Sequence, residues 1–225
     1  HQLCEFFSAF NLCVCYTFTQ NILNCWERFR FCMFQTRIHG RGGQGVVTAA
    51  ELLSVAAFIE GRHAQAFPSF GSERTGAPVV SYCRIDDKEV RTREPILEPD
   101  AIIIQDPTLF NSLDVFQGLK SDGYVLVNSN KNFEELGVAD AVKKIPNKHV
   151  CNVPATEIAM KHMGRPMPNA VLLGGFAAMS GQLAFKSVEK AIQSKFSGKI
   201  GDGNISAALA AFDIIKKIIT TEKKE

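Results

Sequence analysis

The chain has 225 residues, 46% of them apolar, enough to bury one sizeable core, so one domain is expected and at most two small ones. Its 25 basic and 23 acidic residues are interspersed and leave a formal net charge of only +2, which excludes a broad electrostatic footprint for nucleic acid or for an anionic membrane. Any anion site in such a chain must be local.

Residues 1–35 differ from everything that follows: they hold Cys4, Cys13, Cys15, Cys25, Cys32 and the single Trp26, and contain neither Gly nor Pro. The uncharged stretch from Phe6 to Cys25 is about long enough to cross a bilayer, but Asn11, Thr17, Thr19, Gln20, Asn21 and Asn24 make it too polar for a membrane span. No basic start or small-residue cleavage site marks a secretory signal, so a cytoplasmic location is expected. The Cys13-x-Cys15 pair alone is a weak metal signal. The segment reads as an extension outside the functional domain, which then occupies residues 36–222; an amphipathic interface helix is the alternative.

The pattern becomes orderly from Thr36. TRIH suits a short strand, and Val46 to Phe58 repeats apolar residues at Val46, Ala50, Leu53 and Ala57, one helical face that Gly61 terminates. Residues 62–78, RHAQAFPSFGSERTGAP, are dense in Gly, Pro and Ser and read as a long ordered loop, a kind that is more often functional than neutral. Val79 to Ile85 and Lys88 to Arg93 then alternate around Asp86-Asp87 as an antiparallel hairpin. DAIIIQD is a continuous apolar run that suits a strand buried on both faces. A helix from Thr108 to Leu119, a strand in YVLVNS (124–129), a strand in HVCNVPA and a helix from Ala155 to Met163 follow. The remainder reads as helices over Asn169 to Ser180, Ser187 to Phe196 and Ile205 to Ile219. Strands alternating with helices predict an α/β domain: a mainly parallel sheet flanked by helices, Rossmann-like, with a β-hairpin insertion and a helical C-terminal part. Cys83 and Cys151 have no ligand partner at metal spacing and read as small core residues.

Between the first strand and the first helix stands HGRGGQGVV, in which Gly40, Gly42 and Gly45 satisfy G-x-G-x-x-G and Gly43 is an extra glycine. A loop without Cβ atoms lets a ligand approach the backbone, and the helix N-terminus behind it presents unpaired N–H groups. Arg41 adds a full charge, so the loop suits phosphate or pyrophosphate; a tight turn with no ligand is the alternative. A dinucleotide site would also need an acidic residue ending the next strand. Glu60 has roughly that spacing but ends a helix, which disfavours NAD. Gln105 and Asp106, closing a buried strand, stand where open α/β sheets place ligands, although an Asp-Pro turn opening the next element explains them as well.

RIHGRGGQGVVTAAELL, AQAFPSFGSERTGAPVVSYCRIDD and EPDAIIIQDPTL, in that order, resemble the gamma subunit or gamma domain of the 2-oxoacid:ferredoxin oxidoreductases, the pyruvate branch above all. The resemblance runs from about Thr36 to the last helix. It implies a complex in which a 2-oxoacid is decarboxylated on thiamine diphosphate, electrons pass through iron–sulfur clusters to ferredoxin, and coenzyme A accepts the acyl group. This chain shows no C-x-x-C-x-x-C run and no recognisable thiamine diphosphate and magnesium motif, so those cofactors are expected on alpha, beta and delta-type partner subunits and the isolated chain is expected to be inactive. No residue here is expected to be catalytic.

What the resemblance leaves for this chain is coenzyme A. Arg41, Gly42, Gly43, Gln44 and Gly45 are expected to hold its phosphates, with Thr48 donating from the first helical turn. FPSFGSERTG is expected to line the approach or a subunit interface through Phe67, Phe70, Glu73 and Arg74, with a solvated or mutually paired Glu73–Arg74 as the alternative. The indolepyruvate, 2-oxoisovalerate and 2-oxoglutarate branches, a subunit with an empty glycine loop, and a nucleotide-binding oxidoreductase acting alone stay open.

Overall fold

A computed structural model describes residues 33–69 and 75–221; the whole of the expected extension up to Cys32 lies outside the described residues. The body is one six-stranded sheet: β1 (Phe34–Arg41), β2 (His63–Pro68), β3 (Pro78–Asp86), β4 (Ala101–Ile104), β5 (Tyr124–Asn128) and β6 (Val150–Val153), in the spatial order β2-β3-β1-β4-β5-β6. β1, β4, β5 and β6 pair in parallel, and β3 runs antiparallel to both β1 and β2. Five of the six described strands therefore point the same way, as expected, with β3 turned back between two of them. The chain leaves β1 towards β2 on one side and later returns to β4 on the other, so the order reverses beside the carboxyl end of β1, the position that open α/β sheets use for ligands.

The two faces of this sheet are covered differently. On one side lie α1 (Val46–Ile59), α3 (Ala155–Met163), α4 (Asn169–Ser180), α5 (Phe185–Lys195) and α6 (Gly198–Thr221). They close over the inward residues Ile38, Cys83, Ile85, Ile103, Leu126 and Val153. α4 is apolar all round, NAVLLGGFAAMS, because it is sandwiched between the sheet and α6. On the other side Ile102, Ile104, Val125 and Val127 are covered by 3-10 turns, by the one-turn helix α2 (Ala139–Val142), and by Leu109, Val115 and Ile145. The alternation within AIII sends Ile103 to the helices and its two neighbours to the opposite face, which is why the run is apolar without interruption.

Four expectations are corrected. β1 begins at Phe34, so Phe34 and Gln35 belong to the sheet and not to an extension. His63–Pro68, read as loop, is β2, an edge strand whose alternation is masked by small and polar residues. The hairpin is β2–β3 and not β3 with residues 88–93. Those residues form no ladder; they are held over the sheet by Arg84, which donates to the Thr92 and Glu94 carbonyls at 3.2 and 2.7 Å. The helix expected from Thr108 to Leu119 shortens to a 3-10 turn, Pro107–Asn111, followed by further turns that tuck Leu109 and Val115 into the lower core.

Candidate functional site

The glycine loop sits where the sheet order reverses. Gly43 and Gly45 have φ of +95° and +74°, a left-handed conformation that side chains strain to adopt, and so bend the chain from β1 into α1. Gly45 caps α1 with no side-chain hydrogen bond. Its carbonyl accepts from Ala49 as the first bond of the helix, which leaves the N–H groups of Val46, Val47 and Thr48 without partners inside the helix. A Cβ on Gly45 would lie 2.6 Å from Asn169 Nδ2, whereas one on Gly43 would meet nothing within 4 Å. Gly45 is thus fixed by packing as well as by backbone, and Gly43 by backbone alone.

Arg41, expected to serve as a counter-charge to phosphate, is tied across the loop. Its Nε reaches Asp106 Oδ2 at 3.1 Å, its guanidinium also meets Thr108 Oγ1 at 2.7 Å, and it donates to the Gly76 carbonyl at 3.0 Å. Gln44 donates to the same carboxylate at 2.9 Å while its amide oxygen accepts from the Arg41 N–H at 2.8 Å. Asp106 in turn accepts from the Thr108 N–H, which caps the 3-10 turn. Partial burial works against its ionisation, but the Thr108 and Gln44 hydrogen bonds and the Arg41 guanidinium together hold its carboxyl below the ordinary value. Of the two readings weighed for Asp106, the turn is present, and its carboxylate also holds Arg41 and Gln44 of the loop.

Two clefts flank this Arg41–Asp106 pair. One, of about 420 Å³, is lined by Gly42, Gly43, Gly45, Val46 and Val47 with Arg41, Thr75, Val79 and Met167. The other, of about 560 Å³, lies over the carboxyl ends of β4, β5 and β6 and is lined by polar residues including Gln44, Asp106, Asn128 and Lys131. Thr48 is half-buried and outside the lining of both. Gln105 is 1% exposed and its amide atoms have no partner. His39, buried one position before the loop, likewise lacks a partner at either ring nitrogen, and burial, aided by Arg37, pushes it down to about 3, so it is neutral at physiological pH.

Phe67, expected on the approach loop, is instead a core residue of β2, its ring tilted against that of Tyr82 at 5.1 Å with Arg84 over it at 5.4 Å. Phe70, Glu73 and Arg74 lie outside the described residues. The segment just after them does reach the glycine loop, since Gly42 and residues Gly76 and Ala77 exchange backbone hydrogen bonds at 3.1 and 2.9 Å. Glu60 accepts from the Ala184 N–H at 2.7 Å and is committed to the α1–α5 contact. Met167, which completes the wall of the glycine cleft, and Asn169, which packs against Gly45, were not anticipated; their only sequence signal is RPMPN, a break between two helical patterns.

Among the described residues no group of three or more His, Cys, Asp or Glu is placed to hold a metal ion, and no helix is long and apolar enough to cross a membrane. Residues 35–214 match the sequence model of a family described as pyruvate ferredoxin/flavodoxin oxidoreductase. The chain is 48% identical over 181 residues to the pyruvate/ketoisovalerate oxidoreductases common subunit gamma of Pyrococcus abyssi, covering 80% of this chain and 96% of that protein. It is 45% identical over 186 residues to the pyruvate synthase subunit PorC of Methanothermobacter thermautotrophicus, covering 83% and 98%. The crystal structure of the pyruvate oxidoreductase subunit PORC of Thermotoga maritima superposes with a TM-score of 0.69 at 35% identity, covering 80% of this chain and 96% of that one.

Proposed function

The chain belongs to the pyruvate ferredoxin/flavodoxin oxidoreductase family as a gamma-type subunit, and on that premise we propose that it serves a complex that decarboxylates pyruvate, passes the acetyl group to coenzyme A and delivers the two electrons released to ferredoxin in the cytoplasm. In this reading the glycine-loop cleft receives the phosphates of coenzyme A. The observation that carries it is the left-handed Gly45 cap, which leaves the first N–H groups of α1 unpaired and turned to a cleft floored by bare backbone. The donors are the backbone N–H groups of Val46 and Val47. Arg41, already paired, holds the loop's shape and adds little free charge.

Thiamine diphosphate, magnesium and the iron–sulfur clusters belong, in this reading, to alpha, beta and delta-type partners. The cysteines described here, Cys83 and Cys151, are both buried, lie on different strands, and make no cluster-binding set. Burial pushes the Cys83 thiol up to about 12, far from a thiolate ligand. A 2-oxoacid pocket on the partners agrees with the name of the Pyrococcus abyssi relative, a subunit common to pyruvate and ketoisovalerate enzymes.

The test is Val47→Glu in the assembled complex. Val47 is half-exposed and faces the cleft at the second helical position, where a carboxylate suits the helix dipole and the fold is kept, yet it repels a phosphate. The Michaelis constant for coenzyme A is expected to rise about ten- to hundredfold while decarboxylation measured without coenzyme A is unchanged. A wild-type coenzyme A dependence would favour a second reading, a loop that is only a structural knot. The Arg41–Asp106 pair, which leaves the loop without net charge, is the observation on that side.

A further inference from the structure

β2 is the outermost strand on the β3 side of the sheet, and its outer rim carries a small set of backbone groups with no partner among the described residues. The Ser69 N–H donates to the Val80 carbonyl at 2.8 Å, one step beyond the pairing of Pro68 with Ser81. That bond sets the phase of the ladder: His63, Gln65 and Phe67 turn their N–H and C=O groups to β3, and Ala64 and Ala66 turn theirs outward. No described backbone group bonds to Ala64 or Ala66 from the outer side. Both ends of this rim are closed. The Arg62 N–H is already committed to the Ala57 carbonyl at 3.1 Å, and Pro68 has no N–H to give. Edge strands are ordinarily guarded by a charge, a proline or a covering segment, yet HAQAF between those ends has no Asp, Glu, Lys, Arg or Pro. Beside it, α1 packs on β2 and β3, and its last turn exposes Val55, Phe58 and Ile59, with Phe58 77% exposed. Their spacing puts these three on one face, and the Phe58 and Ala57 carbonyls, accepting from Gly61 and Arg62, tie that turn to the start of β2.

We propose that the β2 edge joins a second copy of this chain, strand to strand and antiparallel, about a two-fold axis through Gln65. With Gln65 opposite its own copy, Ala64 of each chain faces Ala66 of the other, and the two pairs exchange four N–H···O=C bonds. Every outward donor on the rim then has a carbonyl. Neither neighbouring register of the same phase does this. Sliding one way sets Ala64 opposite Pro68, which lacks the N–H; sliding the other way sets Ala66 opposite Arg62, whose N–H is held by Ala57. The rim is therefore complementary to itself in one register, which is what a two-fold contact requires. The axis stands perpendicular to the sheet, so both α1 helices lie on the same face next to the seam, where the Val55, Phe58 and Ile59 turn of each is the apolar surface to be covered. The same register keeps the two Arg62–Asp87 pairs at opposite ends of the seam, so like charges do not face each other. Two Phe58 rings offer about 300 Å² of apolar area against roughly 1,200 Å² for a small specific interface, so rings and strands together suit a dimer that dissociates at micromolar concentration.

The experiment is sedimentation equilibrium of the full chain over a dilution series, with amide hydrogen exchange read residue by residue. Wild type should pass from dimer to monomer on dilution, and the Ala64 and Ala66 amides should lose protection in step. Ala66→Pro, a change that an edge strand tolerates, removes two of the four bonds and should raise the dissociation constant about ten- to hundredfold. Gln65→Cys sets two thiols opposite each other in a non-hydrogen-bonded pair, where Cα atoms are about 4.5 Å apart, so oxidised glutathione should link the two chains through residue 65. That variant and the exchange pattern decide the matter if Ala66→Pro fails to fold. A wild-type chain that stays monomeric at about 100 μM, with freely exchanging Ala64 and Ala66 amides, overturns the inference. So does a dimer that Ala66→Pro leaves intact and that Gln65→Cys does not link. If the chain alone is monomeric but these two amides are protected in the assembled complex, the edge belongs to a partner subunit and the second-copy assignment falls.

Discussion

The two faces of the sheet are held by different physics. On the helical face, five helices bury a continuous apolar cluster in which Ile38, Leu52, Leu53, Leu172 and Phe176 are almost wholly excluded from water. On the other face, over β1 and β3, the covering chain is irregular and arginine side chains secure it. Arg37 donates to the Ile96, Val115 and Gln117 carbonyls at 3.4, 2.9 and 2.6 Å, and Arg84 donates to Thr92 and Glu94. A helix satisfies its own backbone, so its contribution to a core is mostly apolar area. An irregular segment arrives with carbonyls that need donors, and a buried guanidinium with five N–H groups supplies several at once.

If that contrast is right, the largest loss follows from a cavity on the helical face. Phe176 is completely buried on α4, with its ring 6.1 Å from that of Phe34. Phe176→Ala should lower the unfolding free energy by about 3 to 5 kcal/mol, read from urea midpoints, without a selective change in any one segment.

On the opposite face, Arg37→Met keeps most of the volume and removes the donors. Three carbonyls lose their partner, and the expected loss is about 2 to 3 kcal/mol, concentrated as faster amide exchange in residues 96–117. Burial already pushes the Arg37 guanidinium down from its ordinary value, against the pull of Tyr82 and Asp114, so the charge is held there at a cost. Unchanged or increased stability would mean that desolvation offsets the hydrogen bonds, and the contrast between the faces would collapse.

The same contrast explains what could be read from the sequence. The helical face was legible because its helices carry a 3.6-residue pattern and its strands are unbroken apolar runs; α1, α3, α4 and the AIII strand lie within a few residues of where periodicity puts them. The other face was not. Residues 88–98, 105–123 and 129–149 are positioned by long-range arginine bonds and scattered apolar residues, which leave no period, so a strand was expected where Arg84 holds a coil and a helix where Leu109 and Val115 anchor turns. β2 failed for a different reason: HAQAFP pairs through its backbone with β3 and has little apolar alternation to show. Of the candidate site, the glycine loop and its place between β1 and α1 were visible, because glycine spacing is local. The Arg41–Asp106 pairing spans 65 residues, and no local pattern announces it.

That pairing is the smallest and sharpest test, because it repeats the arginine clamp at the sheet's rim, where water competes. The two side chains are 30% and 14% exposed, so the pair should contribute only about 1 kcal/mol at neutral pH, half or less of what Arg37 does from the interior. Asp106→Asn should show that difference in urea midpoints at pH 7. The sign of its pH dependence is fixed by the shift: the folded-state carboxyl lies below its ordinary value, so its contribution is complete above the unfolded-state pKa of about 3.9 and is lost as pH falls through the lower folded value. The gap between wild type and Asp106→Asn should therefore be present at pH 7 and close as the carboxylate protonates, while contributions common to both proteins cancel. A gap that persisted at low pH would show that Asp106 acts as a neutral hydrogen-bond acceptor for Thr108 and Gln44, and that the rim arginine is not a clamp of the kind found beneath the sheet.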